Sequence, residues 1–81
     1  MTKTEITTIL KAEIAKESGM KPEEIKDDSP FHALRLDSIS AVFVLDEVGR
    51  QINMELNPLF FWDYPTVELL AQHIAKLSDE Q

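Results

Sequence analysis

The sequence predicts an all-α domain: a small antiparallel four-helix bundle of three longer helices and one short one, with a long first loop. Three observations carry that reading. Apolar residues recur at spacings of three and four in three separate stretches, the pattern of helices with one buried face. No stretch alternates apolar and polar residues as a half-buried strand does, and no internal repeat is present. The chain has only 2 glycines among its 81 residues, which leaves few positions for tight turns.

Thr2-Lys3-Thr4-Glu5 fits a capping box, in which threonine and glutamate satisfy each other's free backbone N–H groups at a helix start. Ile6, Ile9, Leu10 and Ile14 then keep one apolar face until Gly19 offers a left-handed stop. Thr7, Lys11, Glu13, Lys16 and Glu17 are expected on the solvated side. Met20 to Pro30 reads as a long connection, with Pro22-Glu23-Glu24-Ile25 as a short turn and Met20 and Ile25 as its anchors. Ser29 precedes a proline and is held out of helix, so the chain leads to Phe31 and Leu34, expected to tuck under the second helix. His32 between them and His73 far along the chain read as structural or solvent-tipped histidines, and neither is given a metal role.

Asp37 stands just before the next helical run, where its carboxylate can cap the first turn. Ser38 falls in that turn, at the positive end of the helix dipole, where an attached phosphate is stabilised. Ala41, Val44, Leu45, Val48 and Ile52 form the core stripe of this helix. Ile39, Val42 and Phe43 start a second stripe that stops at Asp46, and it is expected to be exposed and used for partner docking; the competing reading has Phe43 widen the core. Asn53 to Asn57 is an extended connection pinned by Met54 and Leu56. Asn57-Pro58 opens a short helix through Leu59, Phe60, Phe61 and Trp62, ended by Tyr64 before Pro65. The aromatic group Phe60, Phe61, Trp62 and Tyr64 is read as core and lid packing rather than a ligand-stacking surface. Thr66 caps a last helix whose apolar face is Val67, Leu70, Ala71, Ile74 and Leu77, and Ser78 to Gln81 are expected to fray.

Two stretches carry a resemblance. Leu36-Asp37-Ser38-Ile39 resembles the attachment motif of acyl carrier proteins, and Phe61-Trp62-Asp63-Tyr64-Pro65-Thr66 resembles their later Phe-Asp-Tyr-Pro-Thr signature, especially in polyketide-type carriers. The resemblance spans Phe31 to about Leu77. It implies that Ser38 bears a covalent 4′-phosphopantetheine, transferred from coenzyme A by a phosphopantetheinyl transferase. Acyl groups would be held on it as thioesters and presented to loading, condensing and modifying enzymes of fatty acid or polyketide biosynthesis. Asp37 would help the transferase engage, with Leu36 and Ile39 as flanking apolar positions, and Ile39, Val42, Phe43 and Asp46 as the docking set. A long acyl chain would be only partly sheltered, between the second helix and the Phe60-to-Tyr64 segment.

Two departures from the family pattern stand out. Arg35 occupies the usual place of a glycine, so either a glycine-dependent backbone conformation is replaced or Arg35 offers its charge to the phosphate; the second is favoured. Phe43 stands where many carriers have an acidic residue, which makes docking more apolar. Alternatives remain: a peptidyl or aryl carrier of a nonribosomal assembly line, against which Leu36-Asp37 argues because Gly-Gly or Gly-His is usual there, and an unmodified helical adaptor.

Composition bounds the rest. A chain of 81 residues makes one domain over 1–81 with a single core, burying roughly 60% of the surface its unfolded form exposes. With 43% hydrophobic and 28% charged residues it is expected to fold, and as a monomer. Its net charge of −7 opposes binding to nucleic acid or anionic membranes and favours basic protein surfaces. With 0 cysteines, any thioester must use a cofactor sulfur. No enzymatic constellation is evident, since Asp37 and Ser38, one apart on a helix, do not face each other. The start lacks the apolar core of a signal peptide, so a cytoplasmic location is expected, and the initial methionine and acidic tail suggest a free-standing protein.

Overall fold

Residues 1–80 are described by a computed structural model. Four helices follow in order: α1 (Lys3–Ser18), α2 (Ser38–Ile52), α3 (Phe60–Asp63) and α4 (Val67–Asp79), with 3-10 turns at Pro22–Glu24 and Phe31–Ala33 in the long first loop. The expected helical bundle of three longer helices and one short one is what forms.

Helix α1 is the spine, packed against both α2 and α4. Its start is the capping box read from sequence, with Glu5 N–H donating to Thr2 Oγ1 and Thr2 N–H to Glu5 Oε1, both at 3.1 Å. Gly19 ends it in the left-handed region at φ 77°. Ile6, Leu10 and Ile14 meet Val44, Leu45 and Val48 of α2 and Val67, Leu70, Ala71 and Ile74 of α4 in one core. Each such fully buried aliphatic side chain contributes about 1.5–3 kcal/mol. Ile25, Phe31, Leu34 and Phe61 close it from the loops and α3.

Helix α2 ends by a left-handed Asn53 at φ 59°, with Met54 N–H returning to the Gly49 carbonyl at 2.8 Å. Gly49 is needed there, because a Cβ would overlap the Met54 carbonyl oxygen as the chain folds back.

Four sequence-based expectations are corrected. Glu13 is buried rather than solvated: it lies seven residues from Ile6 and three from Leu10, in phase with the core face, and its Oε1 accepts from Gln51 Nε2 at 2.8 Å. The short helix begins at Phe60, since Asn57 first turns the chain, its Oδ1 accepting from Leu59 N–H at 2.9 Å. Helix α4 runs on through Ser78 to Asp79, held by the Met1 amino group donating to Ser78 Oγ at 3.1 Å; Gln81 lies outside the described residues. Trp62 is no lid over the core but 73% exposed.

Backbone pairing between the first loop and the α3–α4 junction has no counterpart in the sequence reading. Pro30 and Thr66 form an isolated antiparallel bridge, with Phe31 N–H donating to the Pro65 carbonyl at 2.9 Å. The carbonyls of Asp27 and Ser29 take the Glu68 and Val67 N–H groups at 2.7 and 3.3 Å. This strap satisfies α4's first free donors and fixes the loop that leads into α2.

Candidate functional site

The site is the start of α2 and the groove beside it. Asp37, in extended backbone, is the N-cap, and its Oδ1 accepts from Ser40 N–H at 2.7 Å. That backbone bond, then the Ser40 side chain and more weakly the Ile39 N–H, hold the Asp37 carboxyl below its ordinary value. Ser38 is the first helical residue and is exposed, its hydroxyl at the positive end of the helix.

A groove of about 320 Å³ opens next to it. Its apolar walls are Phe31, Leu36, Ala41, Phe61, Trp62 and Pro65, and its polar rim is His32, Asp37 and Ser38. The floor is rigid, because Phe31 from the strap and Phe61 from α3 meet edge to face with ring centroids 4.3 Å apart and planes at 82°. Behind them His73 stacks on Tyr64 at 4.1 Å and meets the edge of Phe60 at 4.9 Å, which makes it a packing residue between α3 and α4.

Of the residues singled out from sequence, Leu36, Asp37 and Ser38 come together at this groove. Ile39, Val42 and Phe43 lie outside it, 69%, 44% and 57% exposed, so Phe43 does not widen the core. Arg35 is exposed and enters no ion pair among the described residues. Its φ is not positive, so this chain has no glycine-dependent conformation there. Asp46 pairs with Arg50 at 3.2 Å and lines a separate depression toward Met54 and Asn57. Sequence reasoning placed the shelter for an acyl chain between α2 and the Phe60-to-Tyr64 segment, where the groove lies, but missed Phe31 and His32 of the first loop as its third side, which no local pattern signals.

A family match decides what this arrangement belongs to. Residues 8–74 match the family described as phosphopantetheine attachment site. The chain belongs to that family. Its members carry 4′-phosphopantetheine covalently, and the exposed hydroxyl at a helix start beside an open groove fits such a group.

Among relatives, the polyketide synthase PksN of Bacillus subtilis is 32% identical over 71 residues, 88% of this chain and 1% of that protein. The non-reducing polyketide synthase rads2 of Floropilus chiversii is 43% identical over 62 residues, 76% of this chain and 3% of that protein. The chain thus corresponds to a small part of these synthases. Two solved structures share the fold. A free-standing peptidyl carrier protein from an Acinetobacter baumannii secondary metabolic pathway matches with TM-score 0.85 at 35% identity, covering 98% of this chain and 96% of that one. The HMG-ACPI domain of the CurA module of Lyngbya majuscula matches with TM-score 0.88 at 31% identity, covering 99% and 81%. This phosphopantetheine carrier is therefore a helical carrier domain of the kind found in polyketide synthases. No helix among the described residues is long and apolar enough to cross a membrane.

Proposed function

We propose that the chain is a polyketide-type acyl carrier, acting as a single domain over 1–81, with Ser38 as its one attachment residue and no catalysis of its own. The observation that carries this reading is the exposed Ser38 hydroxyl at the first position of α2, with Asp37 beside it and a groove at its side. A phosphopantetheinyl transferase would direct the Ser38 oxygen at the diphosphate of coenzyme A. A serine O–P bond forms, the O–P bond to the adenosine bisphosphate breaks, and the hydroxyl proton passes to the transferase. The group supplies the thiol this chain lacks, on which acyl groups are held as thioesters.

The chain's own residues do the presenting. Asp37 keeps the first turn wound so that Ser38 stays exposed, Leu36 packs the approach to it, and Arg35 lends a positive charge near the phosphate. Ile39, Val42 and Phe43 supply an apolar docking strip for loading, condensing and modifying enzymes, with Asp46 at its edge. A long acyl chain would find partial shelter in the groove. A cytoplasmic location is part of this reading.

The peptidyl-carrier reading draws support from the likeness to the Acinetobacter protein, while Leu36-Asp37 before the serine favours an acyl carrier. Incubation with coenzyme A and a broad transferase, followed by intact-mass analysis, tests the carrier function: gain of one arm is expected, and an unchanged mass would make the chain an unmodified adaptor. Charging by malonyl-loading rather than amino-acid-adenylating enzymes then separates acyl from peptidyl service.

A further inference from the structure

Trp62 has no packing role that explains it. Phe31 and Phe61 complete the core without it, and its indole is 73% exposed on a chain whose other tryptophan positions number none. Single exposed apolar residues are ordinary on protein surfaces. Trp62 differs in its place: it walls the groove whose rim holds Ser38, and it follows Phe61 on α3, the helix that supplies one ring of the rigid Phe31–Phe61 pair. An occupant tethered at Ser38 is the one ligand that is always within reach of it.

The groove's size and lining constrain that occupant. At about 30 Å³ per heavy atom, the volume a water claims, 320 Å³ takes about ten heavy atoms. By that count an octanoyl group fits as well as a benzoyl one, so volume does not separate them, but a saturated chain gives up rotamer freedom when confined. A flat group loses little freedom and gains offset or edge contacts with aromatic walls.

We infer that Trp62 is the cargo-contacting residue of this carrier, and that its groove accepts a short planar acyl group, aromatic or conjugated, in preference to a long saturated one. The inference rests on Ser38 bearing the arm.

The one tryptophan makes the test direct. The protein is prepared as apo, holo, benzoyl and octanoyl forms from the corresponding coenzyme A derivatives, each verified by intact mass. In the benzoyl form, emission should move to shorter wavelength and acrylamide quenching should fall about threefold relative to holo, the size of a stacking preference. The octanoyl form should stay close to holo. Emission unchanged from apo through benzoyl would overturn the inference. So would a full shift already present in holo, which would place the arm rather than the cargo at Trp62, and so would an octanoyl shift as large as the benzoyl one. Absence of any mass gain would instead sink the attachment reading beneath it. Trp62→Leu, at an exposed site, should fold and should hydrolyse its benzoyl thioester about threefold faster than the parent, with octanoyl hydrolysis unchanged. Equal benzoyl rates would contradict the inference independently of fluorescence.

Discussion

The starts of α2 and α4 use the same device to opposite ends. Each has a polar N-cap three residues ahead of the N–H it holds: Asp37 to Ser40 at 2.7 Å, and Thr66 to Leu69 at 3.2 Å. At α4 the strap adds the carbonyls of Asp27 and Ser29, and the first helical residue, Val67, is fully buried. At α2 nothing comparable covers the first turn, and Ser38 and Ile39 stand in solvent. Capping alone makes a helix start stable. What makes one start a joint and the other an accessible attachment point is whether a neighbouring segment seals it.

Substitutions at matching places should widen this contrast. The largest effect is expected from Val67→Asp, which puts a carboxylate where helix-start chemistry alone would welcome it but the strap buries it; the cost should exceed about 3 kcal/mol in chemical denaturation. An unaltered midpoint would mean that the α4 start is not sealed. Thr66→Ala removes one cap while the strap bonds remain, and should cost about 1 kcal/mol by the same assay.

Acid should separate the two starts without mutation. The Ser40 hydrogen bonds hold Asp37 below its ordinary value, so its contribution is present at neutral pH and is lost as the pH falls below about 4 and the carboxylate takes up a proton. Thr66 does not titrate, and the Glu68 N–H is held by a carbonyl of Asp27 rather than its carboxylate. The Asp27 carboxylate, lowered by its bond to Lys11, weakens in the same range, but by loosening a side-chain tie. Amide exchange followed by NMR should therefore show Ser40 losing protection at a higher pH than Leu69. Simultaneous loss would erase the distinction.

The smallest stability effect should come from the exposed strip. Phe43→Glu is expected to change stability by no more than about 0.5 kcal/mol while weakening acyl transfer to a partner enzyme. A collapsed thermal melt would place Phe43 in the core after all, and intact transfer would remove its docking role.

Much of this was legible in the residues because local physics dominates it. Caps at Thr2, Asp37 and Thr66, the stop at Gly19, and the stripes of α1, α2 and α4 all follow from spacing within one element, and the two α2 stripes separated into buried and exposed as their phases require. The strap did not, because a backbone bridge between Pro30 and Thr66 leaves no side-chain pattern in either segment. Glu13 was misread for its charge although its phase pointed inward, its partner Gln51 being distant in sequence. Trp62 was misread because a one-turn helix has too few residues to define a face. The attachment motif was readable, and so were two sides of the groove, α2 and the Phe60-to-Tyr64 segment; its third side, Phe31 and His32, comes from the first loop and was not.

The most direct test of an unsealed, chemically available α2 start is a paired measurement on Ser38→Ala: intact mass after coenzyme A and transferase, beside a thermal melt. The expected result is complete loss of arm attachment at an unchanged melting temperature. Retained mass gain, with Ser40 as acceptor, or a large fall in melting temperature showing that Ser38 is structural, would contradict it.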